Sequence, residues 1–160
     1  MIYPQDEIIK ISDFAREKGV IMHLDGARIW HVAAKTGISL KELCAPFDSV
    51  SMCFSKGLGA PIGSVLVGSK KFTTRARWLR KCMGGGMRQT GFMVAAATYA
   101  LNNNFPKLTT VHALATRLEK GLVDLGVRIT VPVDTCMVCK LTNVCACDDG
   151  LRLLQRLGVV

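Results

Sequence analysis

The order of apolar periods along the chain predicts an α/β fold. Stretches with helical spacing alternate with short apolar runs that stop at glycine or at a charged residue, as strands and their crossover helices do. Two charged landmarks follow such runs. Asp25 ends one and leads into Gly26-Ala27-Arg28; Lys56 follows another and is held in Ser55-Lys56-Gly57-Leu58-Gly59-Ala60-Pro61-Ile62-Gly63. Beyond residue 126 the alternation gives way to two short apolar runs and one helix, the pattern of the start of a small α+β domain.

In order, Ile8, Ile11, Phe14 and Ala15 recur at helical spacing over residues 6–18, with Pro4 before them and Gly19 after. That is an amphipathic helix with the usual punctuation. Residues 20–24 read as a short strand, 29–35 as a short helix, and Ser39-Leu40-Lys41-Glu42 has capping-box spacing ahead of Pro46. Residues 48–54 alternate and are rich in Val, Met, Cys and Phe, as a buried strand should be. The glycines and Pro61 forbid its continuation, which leaves Lys56 at a carboxyl-terminal strand end. A third strand is expected over 64–67, closed by Gly68, and Ser69 can cap a basic helix running to Cys82. Gly84-Gly85-Gly86 breaks the chain, helical character resumes over 91–101, Pro106 punctuates, and a longer helix over 110–125 ends at Gly126. Strands over 127–131 and 136–141 and a helix over 149–157 complete the reading. The domain boundary is expected between about residues 104 and 126, which gives a large domain over 1–110 and the start of a small one over 111–160.

A chain of 160 residues that is 49% hydrophobic can bury a real core. Its formal charge of +9 invites a nucleic-acid reading. The cations Lys70, Lys71, Arg75, Arg77, Arg80, Lys81 and Arg88 lie in a helical stretch broken by apolar residues, aromatics are sparse, and no nucleic-acid module is recognisable. No nucleic-acid partner is expected, and no run is long and apolar enough for a membrane span. Seven cysteines without an apolar secretory segment fit a reduced, cytoplasmic setting. Cys136, Cys139, Cys145 and Cys147 could suggest zinc. Only the first pair has C-x-x-C spacing, and the stretch reads better as a strand with cysteines as small buried hydrophobes, so no metal is expected. The glycines after Lys56 fit neither G-x-x-x-x-G-K-[ST] nor G-x-G-x-x-G, which disfavours a phosphate-loop nucleotide site.

Two strand ends thus offer a carboxylate, a guanidinium and an amine. If the strands are neighbours, about 5 Å apart, these groups can converge on one ligand. A lysine amine condenses with aldehydes, and a carboxylate can keep a pyridine nitrogen protonated so that the ring withdraws electrons. His23-Leu24-Asp25-Gly26-Ala27-Arg28, the Ser55–Gly63 stretch and Gly84-Gly85-Gly86-Met87-Arg88-Gln89 together closely resemble threonine aldolase, in the β-eliminating lyase group of fold-type-I pyridoxal phosphate enzymes.

The resemblance implies part of the large domain of a fold-type-I fold followed by the start of the small domain. It implies that Lys56 holds pyridoxal 5'-phosphate covalently, that Asp25 pairs with the ring nitrogen, and that Arg28 lies beside the phenolic oxygen and the substrate carboxylate. Ser55 is implied at the phosphate, and Lys81 and Arg88 at basic positions near an active site formed at a dimer interface. His31 stands where relatives usually carry asparagine, and His23 reads as a paired core histidine. The implied activity is a carbon–carbon lyase that cleaves a β-hydroxy amino acid, threonine or allo-threonine, to glycine and an aldehyde, in a dimer or tetramer when full length. The phosphate loop, a ring-stacking histidine and a carboxylate-binding arginine of the family are not found in these residues. The alternative reading is therefore a catalytically inactive fragment acting as a dimerisation or interaction module.

Overall fold

The computed structural model describes residues 1–139, and helices and strands follow one another there in the expected order through residue 126. Helix α1 spans Gln5–Glu17, with Asp6 and Glu7 in its first turn and Arg16 in its last, an arrangement that complements the helix dipole. Its packing face differs from the expected one. Ser12 and Ala15 are buried, whereas Ile11 and Phe14 are 46% and 62% exposed. The Ser12 hydroxyl donates to the Pro46 carbonyl, so the helix rests on the chain through its small residues.

Strand β1 is His23–Asp25, shorter and later than the expected 20–24. Gly19 turns the chain at φ 65°, leaving Val20 and Ile21 exposed. Met22 then anchors the approach: its N–H donates to Asp48 Oδ2 at 2.8 Å and its carbonyl accepts from the Asp48 N–H at 2.9 Å. Strand β2, Ser49–Cys53, is central, parallel to β1 and antiparallel to β3, Ser64–Gly68. The β1–β2 register sets His23 opposite Ser49, Leu24 opposite Val50 and Asp25 opposite Ser51. The crossover between these parallel strands contains α2, Ile29–Thr36, and α3, Leu40–Cys44. Helix α3 starts in the expected capping box, formed reciprocally by Ser39 and Glu42.

The core forms where α2 covers the sheet. Ile29, Trp30, Ala33, Val50, Met52, Leu58, Ala100 and Leu108 make one buried cluster. Trp30 stacks near Phe54 and meets Phe105 edge-on, and its indole N–H donates to the Cys53 carbonyl at 3.0 Å. That bond lets a large aromatic sit in the core with its polar atom satisfied, and it ties α2 to the end of β2, just before Lys56.

Helix α4, Lys70–Cys82, is capped by Ser69 and packs on β3 with none of its residues buried. Its cations therefore face outward, with Arg75 stacked 4.2 Å over Trp78. Helix α5, Gly91–Asn104, runs on through a 3₁₀ turn, Phe105–Lys107, into α6, Leu108–Asp124. Pro106 thus begins a tight turn rather than a loop, because its fixed φ suits the first residues of a helix. Past Gly126 the expected strand over 127–131 is absent. The Thr130 N–H and hydroxyl both donate to the Cys139 carbonyl, and Pro132, which has no N–H, starts a turn closed by Asp134 before a ladder can form. Residues 136–139 are likewise irregular. The rest of that second strand, the helix over 149–157, Cys145 and Cys147 lie outside the described residues. No helix among the described residues is long and apolar enough to cross a membrane.

Candidate active site

Asp25 and Lys56 both lie at the carboxyl-terminal edge of the β1–β2 pair, the edge where open α/β sheets bind ligands. The ladder extends one residue past Asp25, since the Gly26 N–H donates to the Ser51 carbonyl at 2.7 Å. A Cβ on Gly26 would stand 2.9 Å from that same oxygen and 3.3 Å from Val50 Cγ1, so only glycine fits between the strands. The chain then turns tightly. The Ile29 N–H donates to the Gly26 carbonyl, the Ala27 N–H donates to Asp25 Oδ1 at 3.2 Å, and Arg28 stands at the start of α2. Asp25 and Arg28 are exposed, and both line a cavity of about 210 Å³ walled by Tyr3, Ile8, Ile29 and Phe47. His23 is paired, with Nδ1 2.8 Å from Ser49 Oγ, yet it is exposed and not a core residue. On a strand, residues two apart share a face, and His23 shares the open face of Asp25.

After β2 the chain enters a turn that is pinned from beneath. The Phe54 N–H donates to the Gly63 carbonyl, the Ala60 N–H to the Phe54 carbonyl, and the Gly59 N–H to the Lys56 carbonyl, at 2.9, 3.0 and 2.9 Å. Leu58 is fully buried, and its carbonyl accepts from Asn104 Nδ2 at 2.8 Å. Gly57 lies directly on the His31 ring: a Cβ there would fall 2.0 Å from Nε2. Ser55 and Lys56 are left exposed at the tip of a constrained loop. They do not line the Asp25–Arg28 cavity.

Next to the Lys56 turn, His31 and His112 form a pair with perturbed titration. Both are buried, with His31 Nδ1 2.9 Å from His112 Nε2 and His31 Nε2 3.4 Å from Cys136 Sγ. Burial, then His112 and Arg28, hold His31 below the ordinary value of 6.5; burial and Lys35 do the same for His112. Folded imidazoles that bind protons more weakly than unfolded ones make stability rise with pH. The contribution is complete above 6.5 and is lost as pH falls from there toward the depressed folded values. Urea midpoints measured from about pH 7.5 to about pH 5 should therefore fall on the acid side, and the fall should shrink in His31→Asn. A slope unchanged by that substitution would place the acid sensitivity elsewhere.

His112 carries no sequence motif, but a signal was present. Leu108, His112, Ala115 and Leu122 are the buried residues of α6, so helical spacing places the histidine on an apolar stripe. Asn104 had no comparable signal, because its bond to Leu58 joins residues 46 apart.

Four of the expected residues, Asp25, Arg28, Ser55 and Lys56, thus follow two neighbouring strands at one edge. Lys81, in the last turn of α4 on the β3 side of the sheet, and Arg88, past the glycine run, are both exposed. Neither enters an ion pair among the described residues.

The pattern of the beta-eliminating lyase family matches residues 1–144. A low-specificity L-threonine aldolase of Candida albicans is 49% identical over 138 residues, which is 86% of this chain and 37% of that protein. A Schizosaccharomyces pombe protein classed by inference as a low-specificity L-threonine aldolase is 42% identical over 154 residues, 94% of this chain and 41% of its own length. A Listeria monocytogenes crystal structure, classed by inference as an L-allo-threonine aldolase, superposes with a TM-score of 0.78 at 31% identity, over 85% of this chain and 39% of that one. The chain therefore spans about two fifths of the length of these relatives. With its match over residues 1–144 and its strand-end Asp25 and Lys56, the chain belongs to the beta-eliminating lyase family and has a fold-type-I architecture.

Proposed function

We propose that this chain supplies the lysine side of a pyridoxal phosphate site in a cytoplasmic carbon–carbon lyase. The enzyme would cleave a β-hydroxy amino acid, threonine or allo-threonine, to glycine and an aldehyde. The observation that carries the reading is the placement of an amine and a carboxylate at adjacent ends of two hydrogen-bonded parallel strands, in a chain of this family. The donor set suits the cofactor: an open edge with an amine, a carboxylate, a guanidinium and a hydroxyl. When bound, pyridoxal phosphate supplies an aldehyde for amines and a ring that takes up the electron pair of the breaking Cα–Cβ bond.

Lys56 would hold the cofactor covalently, and the constrained turn would deliver its amine from one direction. Asp25 would hold a proton at the ring nitrogen, its own orientation set by the Ala27 N–H. Arg28, at the start of α2, would hold the phenolic oxygen and the substrate carboxylate with a fixed fork of donors. Ser55 would donate to the phosphate. Lys81 and Arg88, both exposed, would serve a site shared with a second copy in a dimer or tetramer. In the same reading, residues 1–110 belong to the large cofactor-binding domain and residues from 111 to the small one, with the α2–α6 contact between them.

The test is chemical mapping. Purified chain is incubated with pyridoxal phosphate, reduced with borohydride, digested and sequenced by mass spectrometry. The label is expected on Lys56 at a level at least about tenfold above any other lysine, a modest share of what pre-organised reactants gain. A label spread over surface lysines without preference for Lys56 would overturn the reading. Acetaldehyde release from threonine by the same preparation tests the lyase step.

A further inference from the structure

We propose that His31 is a positioning residue for Lys56, and that the buried His31–His112 pair, closed by the Cys136 sulfur, sets the height and direction of the Lys56 turn. The proposal rests on reading Lys56 as the cofactor-holding amine. Three observations carry it.

The first is contact. Gly57 follows Lys56 directly and leaves no room above the His31 ring, since a single added carbon would overlap Nε2. The next residue is fixed independently, because Leu58 is fully buried and its carbonyl is held by Asn104. Any rise or tilt of the His31 ring must then be taken up on the other side of Gly57, where Lys56 is exposed and its backbone is held through the Gly59 N–H on its carbonyl.

The second is direction. The ring of His31 is held at both nitrogens, by His112 Nε2 at 2.9 Å and by Cys136 Sγ at 3.4 Å. His112 Nδ1 has no partner among the described residues. A buried N–H without a partner costs more than a bare lone pair, so we assign the proton of His112 to Nε2, donating to His31 Nδ1. His31 then carries its own proton on Nε2 and donates it to the sulfur. Both bonds run one way, from α6 through α2 to the segment after α6, and together they fix the plane of the ring as an apolar contact could not.

The third is charge. The groups facing the pair are Arg28 and Lys35, on either side of it along α2, together with Cys136 and the Lys56 turn. None of the ion pairs or hydrogen bonds among the described residues brings a carboxylate to either ring. A first proton, taken up at the bare His112 Nδ1, would meet only cations, and a second, at His31 Nδ1, would replace the hydrogen bond by two opposed donors. The neutral pair holds the turn, and the doubly protonated pair pushes it.

The experiment compares Lys56 with Lys71, an exposed lysine of α4, by competitive acetylation of the chain and mass spectrometry. It needs no cofactor. His112→Leu should change the Lys56 to Lys71 ratio about two- to fivefold, whereas His112→Gln, whose amide nitrogen reaches the place of Nε2 and can still donate to His31, should keep it within about twofold of the parent. In the parent the ratio should step as pH falls below about 6.5, and His31→Asn should remove the step. An unchanged ratio in folded His112→Leu, or a parent ratio flat across the acid range, overturns the positioning role. If His112→Leu does not fold, the pH step and its loss in His31→Asn decide the matter. Capture of pyridoxal phosphate at Lys56, run in parallel, separates the two readings: a responsive ratio without capture counts against the proposed function alone.

Discussion

Replacing Lys56 with alanine is expected to abolish site-selective capture of pyridoxal phosphate and to leave the fold unchanged. The two halves of that expectation have separate physical grounds. Capture requires an amine at the β2 edge, and among the four groups gathered there only Lys56 supplies one; Ser55, Asp25 and Arg28 cannot form the covalent link with an aldehyde. Stability should not follow, because Lys56 is exposed and forms no ion pair among the described residues. Surface substitutions of this kind change stability by no more than about 0.5 kcal/mol. The measurement pairs the lysine-dependent absorbance band with a thermal melt. Loss of the band with an unchanged melt assigns the chemistry to Lys56; a band that persists assigns it to another amine. Asp25→Asn makes a useful companion, since it removes the charge while keeping an acceptor for the Ala27 N–H, and it should weaken capture less than loss of the amine.

How far the sequence carried this site is visible in particular residues. Asp25 and Lys56 were legible because each follows an apolar run and precedes turn formers, so strand-end placement needs only local patterns. Their adjacency followed from one further assumption, that the two strands neighbour each other, which the parallel register bears out. Ile11 and Phe14 mark the apolar face of an amphipathic helix yet stay exposed, because helical spacing identifies a face without saying whether anything covers it; the helix rests instead on Ser12, whose hydroxyl donates to the Pro46 carbonyl. The strand expected over 127–131 failed for a similar reason. Alternation survives there, but Pro132 withholds an N–H and Asp134 closes a turn. His31 was noticed only as an unusual residue at its position, and its partner lies 81 residues away. Pairings at that separation leave no local trace beyond a histidine on an apolar stripe.

Gly57 joins these threads, and Gly57→Ala is expected to be the most damaging single methyl in the described chain. Its backbone is not the reason, because Gly57 is not among the glycines with positive φ. On backbone grounds alone, alanine would gain about 0.4–1 kcal/mol by restricting the unfolded chain. Space is the reason. The new carbon would lie 2.0 Å from His31 Nε2, in a ring that is 2% exposed and bonded at both nitrogens. Overpacking costs about 1–3 kcal/mol, and two hydrogen bonds disturbed at about 1 kcal/mol each add to it. The sum outweighs the entropic gain and leaves a net loss of about 2–4 kcal/mol, or roughly 5–15 °C in melting temperature for a chain of this size. The explanation has a strict internal check. In a His31→Ala background the obstructing ring is gone, so the same glycine change should cost nothing or stabilise slightly, and the double-mutant cycle should show strong coupling. If Gly57→Ala costs the same with and without His31, the ring is not what the glycine accommodates, and the link from the buried histidines to the Lys56 turn breaks at its closest contact.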